Sequence, residues 1–339
     1  MTRVLAFTPG RRVASARFRV HQYTAPLAEL GVNVDIAANV FGSYPPRGTA
    51  VRPIWAAATL LARIPGVVRS RHYDLTLLQR SFVSTFTTLE RFTGRPRVFD
   101  VDDALWLLPR GGFAGAIAKR SDLVIAGNSF LADYFSQHCR EVVVLPTGVD
   151  TDRFRPAKTA RESGSIVVGW SGGASGHGSL SSIAQPLREL CRLRPWVKVR
   201  VMSDRPPQLE GFPAGQLEYV PWSEAVEVAV LQSFDIGVMP LADGLWERGK
   251  CSYKMLLYMA CGAPVVVSPV GMNAEVLSLG AIGWAAITSR DWRDRLLELT
   301  DSPSARFQMG AEARSLVNRH FSVRILAPKL ASILRRSCE

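Results

Sequence analysis

Short apolar, β-branched runs alternate with helical patterns along the whole chain, and this alternation most narrows the folds open to it. The first half carries "RVLAF" (3–7), "VNVDIAA" (32–38), "DLTLLQ" (74–79), "RVFDV" (97–101), "DLVIAG" (122–127) and "EVVVLP" (141–146). Between them, "APLAELG" (25–31) stops at Gly31, and "NSFLADYFSQH" (128–138) opens with Asn and Ser caps before an amphipathic repeat. Strands separated by helices predict parallel βαβ units. After the polar, Pro-containing stretch 145–164 the pattern restarts. It runs through "SIVVGW" (165–170), a helix at 179–193, "VKVRVMSD" (197–204), "LEYVPW" (217–222), a helix at 223–234, "DIGVMPL" (235–241) and "GAIGWAAI" (280–287).

The fold class is therefore α/β, with two Rossmann-like domains facing a cleft. A chain of 339 residues suits two domains, because single cores stop growing at about 250–300 residues. We expect a first domain over 1–155, a linker over 156–164, a second domain over 165–315, and a C-terminal helix over 316–339 packing toward the first. Five cysteines, odd in number and without a C-x-x-C pair, suggest neither a disulfide framework nor a zinc cluster, and fit a reducing cytoplasm. "MTRVLAFTPGRR" has too short an apolar run for a signal peptide and reads as a buried strand. Residues 255–272 are uncharged, but Gly262, Pro264, Ser268 and Pro269 break the run into helix, turn, strand and loop.

Charge points to anions. The formal net charge is +12, and residues 1–155 hold 20 Lys and Arg against 12 Asp and Glu. Such an excess bears on association with phosphate ligands, nucleic acid or an anionic membrane, not on fold. In "RGKCSYKMLLYMACGAPVVVSPVG" (248–271), Arg248, Lys250 and Lys254 surround the start of a helix predicted over 253–261, with Ser252 as its N-cap. Cations there are disfavoured by about 0.3–1 kcal/mol each unless an anion shares the site. A diphosphate fits, since helix N–H groups and fixed cations both recognise it. The Gly-rich loop "SGGASGHGSL" (171–180), with Gly172 and Gly173, lies between strand and helix, where its backbone can approach phosphate. It meets neither the dinucleotide fingerprint nor the P-loop.

Two clusters lie in the first half. "TPGRRVASARFRVHQY" (8–23) follows the first strand, with Gly10 at a turn and Arg11, Arg12, Ser15, Arg17 and Arg19 around it, where arginines can reach a phosphate. "FDVDDALW" (99–106) puts Asp100, Asp102 and Asp103 at a strand's carboxyl end. Three roles fit: a D-x-D site for Mg²⁺ or Mn²⁺, acceptor hydroxyl binding or base work, and helix capping by Asp103. With so many cations available to a diphosphate, hydroxyl binding or capping is favoured over a metal. The histidines show no ligand spacing; His21 and His177 flank loops. "VRPIWAAATLLARIPGVVRSRH" (51–72), apolar with interleaved arginines, suits an interfacial helix in peripheral contact with an anionic membrane, and equally a core-packed one.

At these residues the chain resembles the retaining, sugar-nucleotide-dependent glycosyltransferases of family 4 (group 1), with the GT-B fold. "VLPTGVDTDRFRP" (144–156) is similar to that family's interdomain passage and "LLYMACGAPVVVSPVGMNAEVL" (256–277) to its donor-binding helix, strand and loop, while "FS" (321–322) opens a tail like its closing helices. The resemblance implies a nucleotide-diphosphosugar, for instance a UDP-sugar, in the second domain and an acceptor in the first. It implies retention of anomeric configuration and no obligatory metal or other cofactor. The acceptor would be a glycan, a lipid-linked sugar or a small molecule. By this resemblance the donor set comprises Gly172, Gly173, Arg248, Lys250, Tyr253, Lys254, Gly271, Met272, Asn273 and Glu275. The acceptor or phosphate loop comprises Gly10, Arg11, Ser15, Arg17 and Asp102, and Lys250, Arg248 and Asp103 carry the chemistry. One departure stands out: the family's E-x7-E glutamates are replaced by Gly249 and Leu257. "GK" followed by "YK" resembles a branch found in bacterial surface-polysaccharide and secondary-metabolite pathways.

Other classes fit less well. The missing glutamates favour a non-catalytic sugar-nucleotide-binding homologue or partner subunit. Nucleic-acid binding rests on charge alone, without aromatic residues interleaved among the basic clusters. A nicotinamide oxidoreductase would need the glycine fingerprint, which neither half has.

Overall fold

The computed structural model describes residues 1–339 except 12, 43, 44, 47, 84 and 158–163. Arg12 and most of the expected linker 156–164 thus lie outside the described residues. The chain divides into two compact units: Met1–Gly148 with Gly249–Cys251 and Val323–Glu339, and Val149–Arg248 with Ser252–Ser322. The segment 149–155, read above with the first domain, goes with the second unit, while three residues of the basic stretch go with the first.

The first unit is a parallel six-stranded sheet, made of β1 (Thr2–Thr8), β2 (Val32–Ala38), β3 (Leu75–Gln79), β4 (Arg97–Val101), β5 (Leu123–Ala126) and β6 (Val142–Val144), in the order β2-β1-β3-β4-β5-β6. Strands β3, β4 and β5 are buried at every position, as strands covered on both faces must be. On one face Val4, Ala6, Leu77, Val98 and Ile125 pack with Tyr23 and Leu27. The helix Val323–Arg336 adds Leu326, Leu330 and Leu334 to that face at one-turn spacing, so the end of the chain completes the core of its beginning. On the other face Leu5, Phe7, Leu78, Phe99 and Val124 pack with Val67, Ile117 and Phe135.

The second unit repeats the design with β7 (Ile166–Ser171), β8 (Val197–Ser203), β9 (Leu217–Pro221), β10 (Ile236–Met239), β11 (Val265–Val267) and β12 (Gly283–Ala285), all parallel, in the order β12-β11-β10-β7-β8-β9. The helix Tyr253–Ala260 buries Met255 through Ala260. Its start differs from expectation. Ser252 is left-handed (φ +50°) and its hydroxyl caps nothing, and the loop that ends the uncharged run 255–272 leads at once into a helix at Met272–Leu277.

These strand orders locate the sites. In each sheet the chain reverses its direction of travel beside the first strand, between β1 and β3 and between β7 and β10. Open α/β sheets bind ligands outside the carboxyl ends of the strands at such switch points. The loops leaving β1 and β7 are the Arg-rich and Gly-rich segments of the sequence.

Candidate active site

In the second unit the Gly-rich loop is pinned from three sides. Gly172 N–H donates to Met202 O at 3.0 Å, Ala174 N–H to Asp204 Oδ1 at 2.6 Å, and Gly176 N–H to Gly173 O at 2.9 Å. Burial pushes the Asp204 carboxyl up, but the hydrogen bonds from Ala174 and Ser203 outweigh it and hold the pKa below the usual aspartate value. His177 meets Ser203 Oγ at 2.9 Å, which ties the next helix to the same strand end.

Lys254, in the first turn of the helix Tyr253–Ala260, reaches this loop. Its Nζ lies 4.3 Å from the centroid of the Trp170 ring. A Cβ at Gly172 would collide with the Lys254 ammonium, and one at Gly176 would lie 3.2 Å from it. Glycine at both positions leaves the ammonium room beside open backbone, an arrangement suited to an anion. Trp170, at the end of β7, was not singled out from sequence; its place next to the glycines was the available signal.

A cavity of about 520 Å³ opens at the carboxyl ends of β10, β11 and β12, lined by Ser179, Ser182, Asp243, Ser268 and Val270 among others. Ligand clefts of about 300–1,000 Å³ with a few placed polar groups are the usual size. Ser268 Oγ accepts Leu241 N–H at 3.0 Å, and Asn273 Nδ2 donates to Ser268 O at 3.0 Å, so fully buried Asn273 clasps the wall of this cavity. Gly271 (φ +53°) lies against the Arg248 backbone, where a Cβ would be 2.8 Å from Arg248 O. Met272 is buried and Glu275 lies in the first turn of the same short helix. Arg248 pairs with Asp243 at 2.8 Å on the surface. Tyr253 is half-buried beside Lys254 in sequence.

The first unit gathers a polar cluster at its own strand ends. Asp100, next to last in β4, accepts Arg19 Nε at 3.0 Å, while Arg19 Nη1 donates to Leu145 O at 2.7 Å. Both are buried. Burial works against the Arg19 charge, yet Asp100 outweighs it and keeps the guanidinium protonated. This arginine is a structural partner of the aspartate.

Arg80, in the left-handed region (φ +68°) just after β3, pairs with Asp102 at 3.2 Å and with Asp103. Asp103 therefore does not cap a helix; its carboxylate turns to Arg80, and the short helix Leu105–Leu107 begins without a side-chain cap. Burial pushes the Asp103 carboxyl up against the opposing pull of Arg80 and Lys250. No group of three or more potential metal ligands occurs among the described residues. Arg80 gave no sequence signal, since it meets the aspartates only through the β3–β4 pairing.

Lys250 belongs to this cluster too. Asn128 caps the helix Ser129–Phe135 through Leu131 N–H at 2.9 Å and donates its Nδ2 to Lys250 O at 3.1 Å. Cys251 Sγ–H points to Asp102 O at 3.2 Å. A Cβ at Gly249 would stand 2.6 Å from Ala104 Cβ, so the segment fits only as glycine. The three cations read as one group in sequence are therefore divided: Lys250 goes with Asp102 and Asp103 in the first unit, Arg248 and Lys254 with the second.

After β1, Gly10 (φ +150°) makes the turn into the helix Ala14–Arg19. Arg11 and Arg17 are near enough to His21 to add to the burial that lowers its pKa. The Ser15 hydroxyl is buried without a protein partner.

Residues 180–301 match the family described as glycosyl transferases group 1. Apart from Gly249–Cys251, the matched stretch lies within the second unit. Among curated proteins, none matches the sequence. Solved structures resemble the chain over nearly its full length. Sucrose-phosphate synthase from Thermosynechococcus elongatus has a TM-score of 0.74 at 13% identity, covering 99% of both chains. HepE from Anabaena, solved with UDP and glucose, has 0.69 at 14% identity, covering 99% of this chain and 100% of that one. WaaG, a glycosyltransferase involved in lipopolysaccharide biosynthesis, has 0.67 at 12% identity, covering 98% and 99%. The fold is GT-B, with two parallel six-stranded α/β units.

Proposed function

We propose that this chain is a retaining glycosyltransferase that moves a hexosyl or N-acetylhexosaminyl group from a nucleotide-diphosphate donor to an acceptor hydroxyl. The observation that carries this reading is Lys254, which falls within the stretch 180–301 that matches group 1, set among Gly172, Gly176 and Trp170 at the end of β7, in a unit that also opens a cavity at the ends of β10, β11 and β12. The second unit takes the donor. Its cavity suits the nucleoside, and the glycine loop with Lys254 takes the diphosphate, with Arg248, Gly271, Met272, Asn273, Tyr253 and Glu275 around it. HepE, of the same fold, binds UDP, which supports a uridine nucleotide.

Charge grows on the leaving diphosphate as the glycosidic bond breaks, and a preorganised ammonium lowers that barrier. Front-face attack by the acceptor, helped by the leaving phosphate, retains configuration without a protein nucleophile. The first unit takes the acceptor: Asp102 and Asp103, oriented by Arg80, meet its hydroxyls together with Lys250, and the loop with Gly10, Arg11, Ser15 and Arg17 meets its anionic groups. We further propose catalysis without an obligatory metal, in the cytoplasm, in bacterial surface-glycan or secondary-metabolite synthesis.

The test is a thermal-shift screen of UDP-, GDP- and dTDP-sugars, followed by NMR of the anomeric product. A donor at 100 times its dissociation constant adds about 2.7 kcal/mol of stability. No shift with any of the three refutes the reading. A second reading, a non-catalytic donor-binding homologue, rests on Gly249 packed against Ala104 and on buried Leu257, neither of which supplies a carboxylate. Donor binding with neither transfer nor hydrolysis would favour it.

A further inference from the structure

The helix Arg52–Arg69 presents two unlike faces. Toward its own unit it sends Arg63, Thr59 and Val67. Arg63 donates to Ala37 O and, at 2.7 Å, to Thr8 O, and a Cβ at Gly66 would stand 2.9 Å from the Phe7 ring. Away from it stand Ile54 (71% exposed), Leu61 (66%), Ile64 and Val68. At 100° per residue these four fall on one stripe. Val40 (75%) and Phe41 are exposed as well, and Trp55 Nε1 donates to Phe41 O at 3.0 Å, which joins that turn to the helix.

Large apolar side chains rarely gather on an outer face without a partner. Charge indicates which partner. Residues 36–73 contain no Asp or Glu, and Arg52, Arg69 and Arg71 stand exposed at the two ends of the stripe. Among the described residues the stretch Thr49–His72 is the one helix long and apolar enough to cross a membrane. However, the anchoring of Arg63 and the close approach at Gly66 hold it along the sheet.

We propose that this face docks on the surface of an anionic lipid bilayer, with the helix lying in the plane of the interface. Ile54, Leu61, Ile64 and Val68 would enter the boundary between headgroups and acyl chains, and the flanking arginines would meet lipid phosphates. An 18-residue helix extends about 27 Å along such a surface. The absence of acidic residues favours lipid over a basic or mixed protein surface. This inference does not depend on the donor reading.

The test is co-sedimentation of the full chain with vesicles of phosphatidylcholine alone or with about a third phosphatidylglycerol. Binding is expected to the anionic vesicles and to fall with added salt. Ile54→Ser with Leu61→Ser should weaken it by at least about tenfold. Arg69→Glu with Arg71→Glu should weaken it by about 25-fold or more, since each basic residue near such a surface is worth about fivefold. Unchanged thermal midpoints and donor turnover in solution would show that the variants remain folded. Absence of binding to anionic vesicles, or equal binding by wild type and both variants, overturns the proposal. A lipid-free dimer that Leu61→Ser disperses also overturns it, by assigning the face to a second copy of the chain.

Discussion

Replacing Lys254 with methionine removes the charge while keeping most of the stem. In the free protein the change removes a cation–π contact with Trp170 at 4.3 Å, worth about 0.5–2 kcal/mol, so the fold survives. In the donor complex the loss is larger. An ammonium about 4 Å from one phosphate charge contributes about 4 kcal/mol at an effective dielectric constant of about 20, equivalent to roughly a thousandfold. Part of that is already present with bound donor, and the remainder appears only as charge grows on the leaving group. Lys254→Met should therefore weaken UDP binding by about tenfold and lower kcat/KM by about 10²–10³-fold. Lys254→Arg should not fully rescue it, because a planar guanidinium fork does not reproduce the compact point charge of an ammonium. Calorimetry with UDP and steady-state release of nucleoside diphosphate measure both quantities. UDP affinity and kcat/KM within about twofold of wild type, in a protein with an unchanged melting curve, would refute the assignment of Lys254 to the diphosphate.

Gly249→Glu, which restores the family's usual residue, should not raise activity. Its Cβ would meet Ala104, and denaturant unfolding should show a loss of about 1–3 kcal/mol. Arg19→Met leaves Asp100 buried without its partner and should cost about 3–5 kcal/mol; adding Asp100→Asn should recover part of this in a double-mutant cycle. Glu218 accepts Lys198 Nζ at 2.7 Å and Arg200 Nε at 2.8 Å, and these bonds outweigh its burial to hold its pKa below the ordinary 4.5. A carboxylate with a depressed folded pKa stabilises above its unfolded pKa and loses that contribution as pH falls through the folded one. The stability curves of wild type and Glu218→Gln should then differ above about pH 4.5 and converge below it, as followed by acid-dependent unfolding. Divergence only at acidic pH would contradict the sign.

Much of the scaffold could be read from the sequence, because strand and helix signals are local. "RVFDV" and "DLVIAG" are rich in apolar residues since both faces of β4 and β5 are covered, and Asn128 caps the helix that its position predicts. The Gly-rich loop and Lys254 were also identifiable, as each carries its own chemistry. The partners of the aspartates were not. Asp103 looked like a cap because a cap is a local device, whereas Arg80 reaches it only through strand pairing.

The sequence by itself determined the alternation of strands and helices, the two α/β layers and the presence of cations for an anion. Tertiary structure alone decided how those cations are shared: Lys254 with the glycines after β7, Lys250 with the aspartates after β4. It also decided that Gly249 must stay small and that the helix Arg52–Arg69 turns Arg63 inward and Leu61 outward. The physical reason is range. Periodicity and capping act over a few residues, while the electrostatic environment of a side chain and the space at a Cβ are set by neighbours far apart in the chain, which only the folded sheet brings together.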